Sequence, residues 1–239
     1  MKKIRIQKIL SESGVASRRK AEDMIKNKLV CINKKVAQIG DKADPNVDKI
    51  FVNGRLIDCN VKKHYIMLHK PRGYVSTTKD ELGRKCVMHL VSDIPEKIYP
   101  VGRLDKDSEG LLLMTNDGEF LNAVIHPANS IEKKYRVTVK PQVTEEQLIT
   151  LSSGMTIDGY KTEPAKVTVL KSAEDRTVLE IIIKEGRNRQ IRKMCEQAGL
   201  NVARLKRVAI GQLKLGMLAP GKWRNLSIQE IKLFAKKEK

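Results

Sequence analysis

The sequence predicts an α+β protein in two parts: a small basic N-terminal domain over residues 1–60, and a larger domain over residues 61–239 built on a mixed, largely antiparallel sheet. Three observations carry this prediction. Helix-like and strand-like segments follow one another without regular alternation, which argues against a parallel, doubly wound sheet. Charge is unevenly spread: residues 1–63 hold 16 Lys and Arg against 7 acids, a net +9 out of +19 for the 239 residues. A single stretch from Pro100 to Gly118, PVGRLDKDSEGLLLMTNDG, runs a turn-rich acidic loop straight into the apolar run Leu111 to Met114. Asp105 is therefore expected in a loop braced by a buried strand, good support for a catalytic carboxylate.

In the first part, Ile6, Ile9 and Leu10 recur at helical spacing up to Gly14, a C-terminal stop. Ser17 is placed to cap a second helix, RRKAEDMIKNK, with Ala21, Met24, Ile25 and the stem of Lys28 inward and Arg18, Arg19, Lys20 and Lys26 in solvent. Short strands are expected around Val30 to Ala37 and Lys49 to Ile57, with Asn33-Lys34 and Asn53-Gly54 as turn signals. Asp58 to Lys63 is short, polar and basic and reads as a tether. Tyr65 to Leu68 is a strand candidate, followed by the turn His69 to Gly73. Beyond the central loop, Gly118 to His126 is a helix ended by Pro127, and Tyr135 to Val139 is an alternating strand. Thr144 and Gln147 form a capping box for a helix through Leu151. Ala165 to Leu170 and Thr177 to Ile183 are strands, the second so nearly all apolar that it is expected at the centre of the sheet. Asn188 to Ala198 is a helix stopped by Gly199, Val202 to Leu215 supplies more strand, and Ser227 with Glu230 opens a terminal helix. No internal repeat is present, and low complexity is confined to the lysine-rich last residues, which are expected to fray.

Composition narrows the partners. With 47 Lys and Arg against 28 Asp and Glu, the chain favours a polyanion, nucleic acid first and an anionic membrane surface second. Three Phe, five Tyr and one Trp are too few for continuous stacking along a single strand, although one stacked base is compatible with them. Cys31, Cys59, Cys86 and Cys195 are scattered, with no CxxC pair and no His-spaced cluster, so neither zinc nor a disulfide framework is indicated. No apolar signal core and no membrane-length run occurs, and a soluble, cytoplasmic protein is expected.

The acidic loop admits several readings. Asp105, Asp107, Glu109 and Gly110 imitate the start of a calcium-binding helical loop, but Asn116 stands where a bidentate glutamate is required, and no amphipathic helix precedes them. A solvated turn is the bland alternative. The whole string decides: GRLDKDSEGLLLMTNDG resembles, over its full length, the signature of the pseudouridine synthases that modify ribosomal RNA, the RsuA, RluB and RluF group. The resemblance implies that Asp105 is the catalytic residue. EGRNRQIRKM, Glu185 to Met194, resembles the family's G-x-x-x-Q-[IV]-R segment, which implies that Arg192 pairs with that aspartate. An arginine suits the task because it stays charged and offers a planar fork to a carboxylate. Tyr135, in IEKKYRVTV, stands where family members place a tyrosine against the target base.

The N-terminal part, RIQKILSESGVASRRKAEDMIKNKLVCINKKVAQIGDKADPNVDKIFVNG, looks like the alpha-L RNA-binding domain named after a small-subunit ribosomal protein. Arg18, Arg19 and Lys20 are its candidate RNA contacts, and Arg103, Lys134, Arg187 and Arg189 those of the second domain. One apolar residue of RLKRVAIGQL should pack on the base, and spacing does not say which. SESG, STT, AQIGD, GRLDKDSEGL, NRQIRKMCE and GKWRNL are most similar to the RluF type, which implies a uridine of large-subunit (23S) ribosomal RNA as target and a transfer RNA as a further candidate substrate. An RluB-type 23S or RsuA-type 16S target is the alternative within the family. The chemistry calls for no cofactor and no metal, and a monomer is expected. Two readings of other classes stand beside it: a metal-dependent RNA hydrolase using Asp105, Asp107, Glu109 and Asp117, and a non-catalytic ribosome-assembly factor needing only the basic face.

Overall fold

The computed structural model describes residues 3–235, so the lysine-rich end expected to fray, residues 236–239, lies outside the described residues. The chain forms two compact units. One comprises the residues up to His64 with Ile94–Ile98 and Asn116–Gly118, and the other Tyr65–Asp93, Tyr99–Thr115 and the chain from Glu119 onward.

The first unit holds helices α1 (Ile6–Glu12) and α2 (Arg18–Lys26) and strands β1 (Ile4–Arg5), β2 (Val30–Ile32), β3 (Lys35–Val36), β4 (Lys42–Ala43), β5 (Ile50–Val52) and β6 (Arg55–Leu56). Its core is the apolar face of the helix pair, Ile6, Ile9, Leu10, Ala21 and Ile25, packed against Val30, Ile50 and Val52. The Ser17 side chain accepts a hydrogen bond from the Lys20 amide, as a helix cap should. Asn33, Asn53 and Gly54 take positive φ and close the hairpins β2–β3 and β5–β6, which together form a sheet in the order β3-β2-β5-β6. Arg18, Arg19, Lys20 and Lys26 are exposed. Lys28, expected to lay its stem inward, is also exposed, because α2 ends at Lys26 and the chain turns through positive φ at Lys28.

The second unit is built on strands β7 (Tyr65–Lys70), β8 (Tyr99–Val101), β9 (Glu109–Thr115), β10 (Lys133–Lys140), β11 (Thr156–Ile157), β12 (Tyr160–Lys161), β13 (Lys166–Ala173), β14 (Arg176–Ile183), β15 (Asn201–Ile210), β16 (Leu213–Lys214) and β17 (Trp223–Asn225). Its helices are α3 (Gly118–Ile125), α4 (Glu145–Ser153), α5 (Gln190–Gln197) and α6 (Ile228–Lys232). The main sheet runs β13-β14-β10-β15-β9-β7-β17, with β16 on β15 and β8 on β9. Every pairing in it is antiparallel except that of β15 with β9, which gives the α+β class with a mixed, mostly antiparallel sheet.

Every residue of β9 is buried, and Leu111, Leu112, Leu113 and Met114 are fully so. Each such side chain contributes about 1.5–3 kcal/mol relative to exposure, so the strand beneath the acidic loop is among the most firmly held. The capping boxes Thr144–Gln147 and Ser227–Glu230 are both formed. Two further expectations are corrected. β14, expected at the centre, lies next to the β13 edge and alternates buried with half-buried residues; a run rich in isoleucine fits a half-covered strand as well as a central one. The strand from Tyr65 continues through His69 and Lys70, which are both buried, so the turn starts only at Pro71. Cys86 and Cys195 are buried, Cys31 and Cys59 half-buried, and none is bridged. Burial pushes the Cys195 thiol up to about 12, which makes it unreactive. Among the described residues no helix is long and apolar enough to cross a membrane.

Candidate active site

The loop between β8 and β9 carries Asp105 and is anchored from three sides. The Ser76 hydroxyl donates to the Leu104 carbonyl at 2.8 Å and accepts from the Leu104 amide at 3.1 Å. The Gly73 amide donates to the Lys106 carbonyl at 2.8 Å. Beneath it, the fully buried Lys70 donates from Nζ to the carbonyls of Ser108 at 2.7 Å and Pro71 at 3.1 Å. Burial lowers the Lys70 ammonium to about 8, against the opposing pull of the Asp105 and Asp107 charges. A loop with so many main-chain anchors presents its carboxylate in one place, 27% exposed.

Lys70 makes a stability prediction whose sign is fixed by that shift. Between pH 8 and the ordinary lysine value of 10.5, the unfolded chain binds a proton there that the folded chain does not, so folding gains as pH rises through this window and is unaffected by it below. Urea unfolding at pH 7 and pH 9.5 should show wild type gaining about 1–2 kcal/mol on Lys70→Met between the two. Parallel pH dependences would contradict it.

A cavity of about 180 Å³ opens over this loop, and its walls bring together Asp105, Tyr135, Arg103, Arg187 and Arg189 with Lys133, Ser108, Gln190, Leu205, Arg207 and Ile210. Tyr135 is 7% exposed on β10, opposite Ile181 on one side and Arg207 on the other. The register of β10 on β15 slips between Lys134 and Tyr135, leaving Val208 as the extra residue of a bulge. Bulges beside active sites re-aim side chains, and this one lets Ile210, three residues beyond Arg207, line the same cavity. Leu205 and Ile210 are thus the apolar residues of RLKRVAIGQL that line the cavity.

The segment before α5 is held by Gln190, whose amide group accepts from the Arg187 amide at 3.0 Å and donates to Glu185 at 2.6 Å. Arg187 lies over the Tyr160 ring, 3.2 Å from its centroid, and Arg189 takes a left-handed backbone conformation at the head of the helix. From there Arg189 Nη1 reaches within 3.9 Å of Asp105 and 4.0 Å of Asp107.

Arg192, expected against the catalytic aspartate, is turned elsewhere. It donates to the carbonyls of Val202 at 3.3 Å and Asp107 at 3.1 Å, and the guanidinium nearest Asp105 is that of Arg189. Burial and the neighbouring Arg189 charge lower the Arg192 pKa, while Asp105 and Asp107 pull it up, so Arg192 acts on the acidic loop through space and through its backbone. Lys134, expected as an RNA contact, lies on the face opposite Tyr135, outside the cavity, and pairs with Glu180 at 3.1 Å. Lys133, two residues from Tyr135, takes the cavity position, with a pKa lowered by burial and then by the Arg207 charge. In the acidic cluster that a metal-dependent hydrolase would need, Glu109 is taken by Arg204 at 2.7 Å and Asp107 faces Arg189. Arg18, Arg19 and Lys20 lie on the exposed face of α2, in the first unit.

Comparison with known proteins matches this geometry to a family. The sequence profile described as RNA pseudouridylate synthase covers residues 64–197, and that of the S4 domain covers residues 4–49. The chain belongs to the RNA pseudouridine synthase family. It is 42% identical over 231 residues to the ribosomal large subunit pseudouridine synthase B of Bacillus subtilis, covering 95% of this chain and 94% of that protein. It is 39% identical over 230 residues to the dual-specificity RNA pseudouridine synthase RluF of Escherichia coli, covering 95% of this chain and 77% of that one. A crystal structure of a pseudouridylate synthase superposes with a TM-score of 0.69 at 28% identity, covering 97% of this chain and all of the other. The synthase is therefore an RNA-modifying isomerase with an S4 domain at its N-terminal end.

Proposed function

We propose that this synthase converts a uridine of large-subunit ribosomal RNA to pseudouridine, with Asp105 acting at the ribose and Tyr135 against the base. The observation that carries the reading is that Asp105 and Tyr135 share one small cavity rimmed by Arg103, Arg187 and Arg189. Isomerisation breaks the bond between base and sugar, rotates the base and rejoins it through carbon, with no change of redox state. A side chain can reach the sugar only after the nucleotide has left its stack, and a cationic rim around an enclosed floor suits an everted nucleotide whose phosphates stay outside. Arg189 is the partner of the Asp105 carboxylate in this reading, and Arg192 holds the loop that carries it.

The name of the Bacillus relative gives the large ribosomal subunit, which favours large-subunit over small-subunit RNA as the target. Transfer RNA is the second substrate to test, because the Escherichia coli relative is named as a dual-specificity enzyme. Residues 1–60 serve as the RNA anchor and residues 61–239 as the catalytic domain of a cytoplasmic monomer. The purified protein is to be incubated with separate large-subunit, small-subunit and transfer RNA transcripts, and pseudouridine mapped in each. One modified position in the large-subunit transcript is expected; modification confined to the small-subunit transcript, or to none, would overturn the assignment.

The anchor role has its own test. Replacing Arg18, Arg19 and Lys20 together by Ala should weaken RNA binding and reduce the slope of log affinity against log salt by about 2. An unchanged slope would remove α2 from the RNA interface.

A further inference from the structure

We propose that Arg207 donates a hydrogen bond to a carbonyl oxygen of the everted uracil and takes up the negative charge of that base while it is detached from the sugar. The proposal deepens the reading of the site above and rests on it. Arg207 is 5% exposed and forms part of the cavity wall, opposite Tyr135 on the neighbouring strand. Its Nε donates to the Leu111 carbonyl at 2.8 Å, which fixes the guanidinium plane. Its Nη2 is buried and makes no hydrogen bond among the described residues. Interior donors of charged groups are almost always satisfied, because an orphan forfeits its hydration for nothing. Ser108, 1% exposed on the same cavity wall, leaves its Oγ without a partner as well. Two residues of one cavity wall thus keep unpartnered polar atoms behind its surface, and a ligand with a polar edge that settles against this wall can take them up; a uracil ring, with its two carbonyl oxygens, has such an edge.

A phosphate is the less suitable occupant. Arg103, Arg187 and Arg189 are exposed at the rim, where a nucleic-acid backbone passes, whereas Arg207 lies too deep for it. The chemistry also gives Arg207 work that the rim cannot do. When the bond between C1′ and N1 breaks, the electron pair leaves with N1, and the base departs as a monoanion whose charge spreads over O2 and O4. The sugar carbon is met by the Asp105 carboxylate. After rotation, C5 forms the new bond to C1′ with the electron pair of the base. The proton then lost from C5 balances the one gained at N1, so the step is a pure isomerisation. A guanidinium already fixed by Leu111 and shielded from water stabilises that anion without reorganising.

The test uses the full chain and a transcript carrying the mapped uridine, together with the same transcript bearing 5-fluorouridine at that position, whose detached base is a more stable anion. Arg207→Gln keeps an N–H for the Leu111 carbonyl and removes the charge. It should lower the rate of consumption of the target nucleoside by about 100-fold on uridine and by no more than about tenfold on 5-fluorouridine. Arg207→Lys should recover at least about tenfold of the loss on uridine. A defect that is merely structural would be equal on both transcripts, and that result, or wild-type rates on uridine, would overturn the proposal. If Arg207→Gln does not fold, Arg207→Lys decides: a defect smaller on 5-fluorouridine supports the role, and an equal defect refutes it. A wild type inactive on both transcripts would instead remove the large-subunit assignment, and the role of Arg207 with it.

Discussion

Replacing Asp105 by Asn should lower kcat for pseudouridine formation by at least about 10³-fold while leaving RNA affinity within about threefold of wild type. The substitution is nearly isosteric, and the loop that carries the residue is held by groups that do not include its side chain: Ser76 on Leu104, Gly73 on Lys106 and Lys70 on Ser108. What is lost is the negative charge, carried by the one carboxylate among the described residues of the cavity wall. A loss of 10³ corresponds to about 4 kcal/mol of transition-state stabilisation, a reasonable share for the group that acts on the reacting bond. Affinity should be spared because the cations proposed to hold the backbone, Arg103, Arg187 and Arg189 at the rim and the basic face of α2, are untouched. Product formation at a tenth of the wild-type rate or faster would exclude Asp105 as the residue of the chemistry. A parallel loss of RNA binding would show that the substitution had damaged the fold.

The second large effect is expected at Gly110, where β9 meets β15 in the sheet's single parallel pairing, Gly110 opposite Arg207. A Cβ there would stand 2.2 Å from the Arg207 carbonyl oxygen and 2.7 Å from its nitrogen, and the residue has φ of +112°. Both contacts are with backbone, so no side-chain movement relieves them. Gly110→Ala should therefore cost about 3 kcal/mol or more, lowering Tm by roughly 6–12 °C for a chain of this size. It should lower activity more than the folded fraction alone explains, because separating β9 from β15 pulls the Asp105 loop away from Arg207 and Tyr135. Gly40→Ala is the control, with φ of +99° and no atom within 4 Å of the added carbon. It carries the backbone strain alone, about 1 kcal/mol. Gly110→Ala with a Tm no lower than that of Gly40→Ala would show that the junction yields.

What was legible in the sequence follows from which interactions are local. Helix caps at Ser17, Thr144 and Ser227 are decided within four residues and are all formed. The run Leu111 to Met114 has no polar face and is buried on both sides, so its place under the acidic loop could be read directly. Non-local choices were hidden. The apolarity of Thr177 to Ile183, interrupted by Glu180, says that one face is covered but not where the strand stands in the sheet, and the structure puts it beside an edge. Lys133 rather than Lys134 faces the cavity because side chains alternate along a strand, and the two-residue spacing to Tyr135 carried that signal. Arg207 and Lys70 gave none, since lysines and arginines ordinarily face solvent and only the fold buries these two. The bulge at Val208 broke the period of two, which is why spacing could not name the residue against the base. Arg192 and Arg189 lie on one short segment, and the left-handed turn at Arg189 decides which of them meets the carboxylate.

The most direct test of the central claim is a pseudouridine map of total RNA from cells lacking this protein, compared with cells that regain it as wild type or as Asp105→Asn. The map is expected to lack one position in large-subunit ribosomal RNA when the protein is absent, to regain it with wild type, and to remain without it with Asp105→Asn. Identical maps with and without the protein, or a position restored by Asp105→Asn, would contradict the claim.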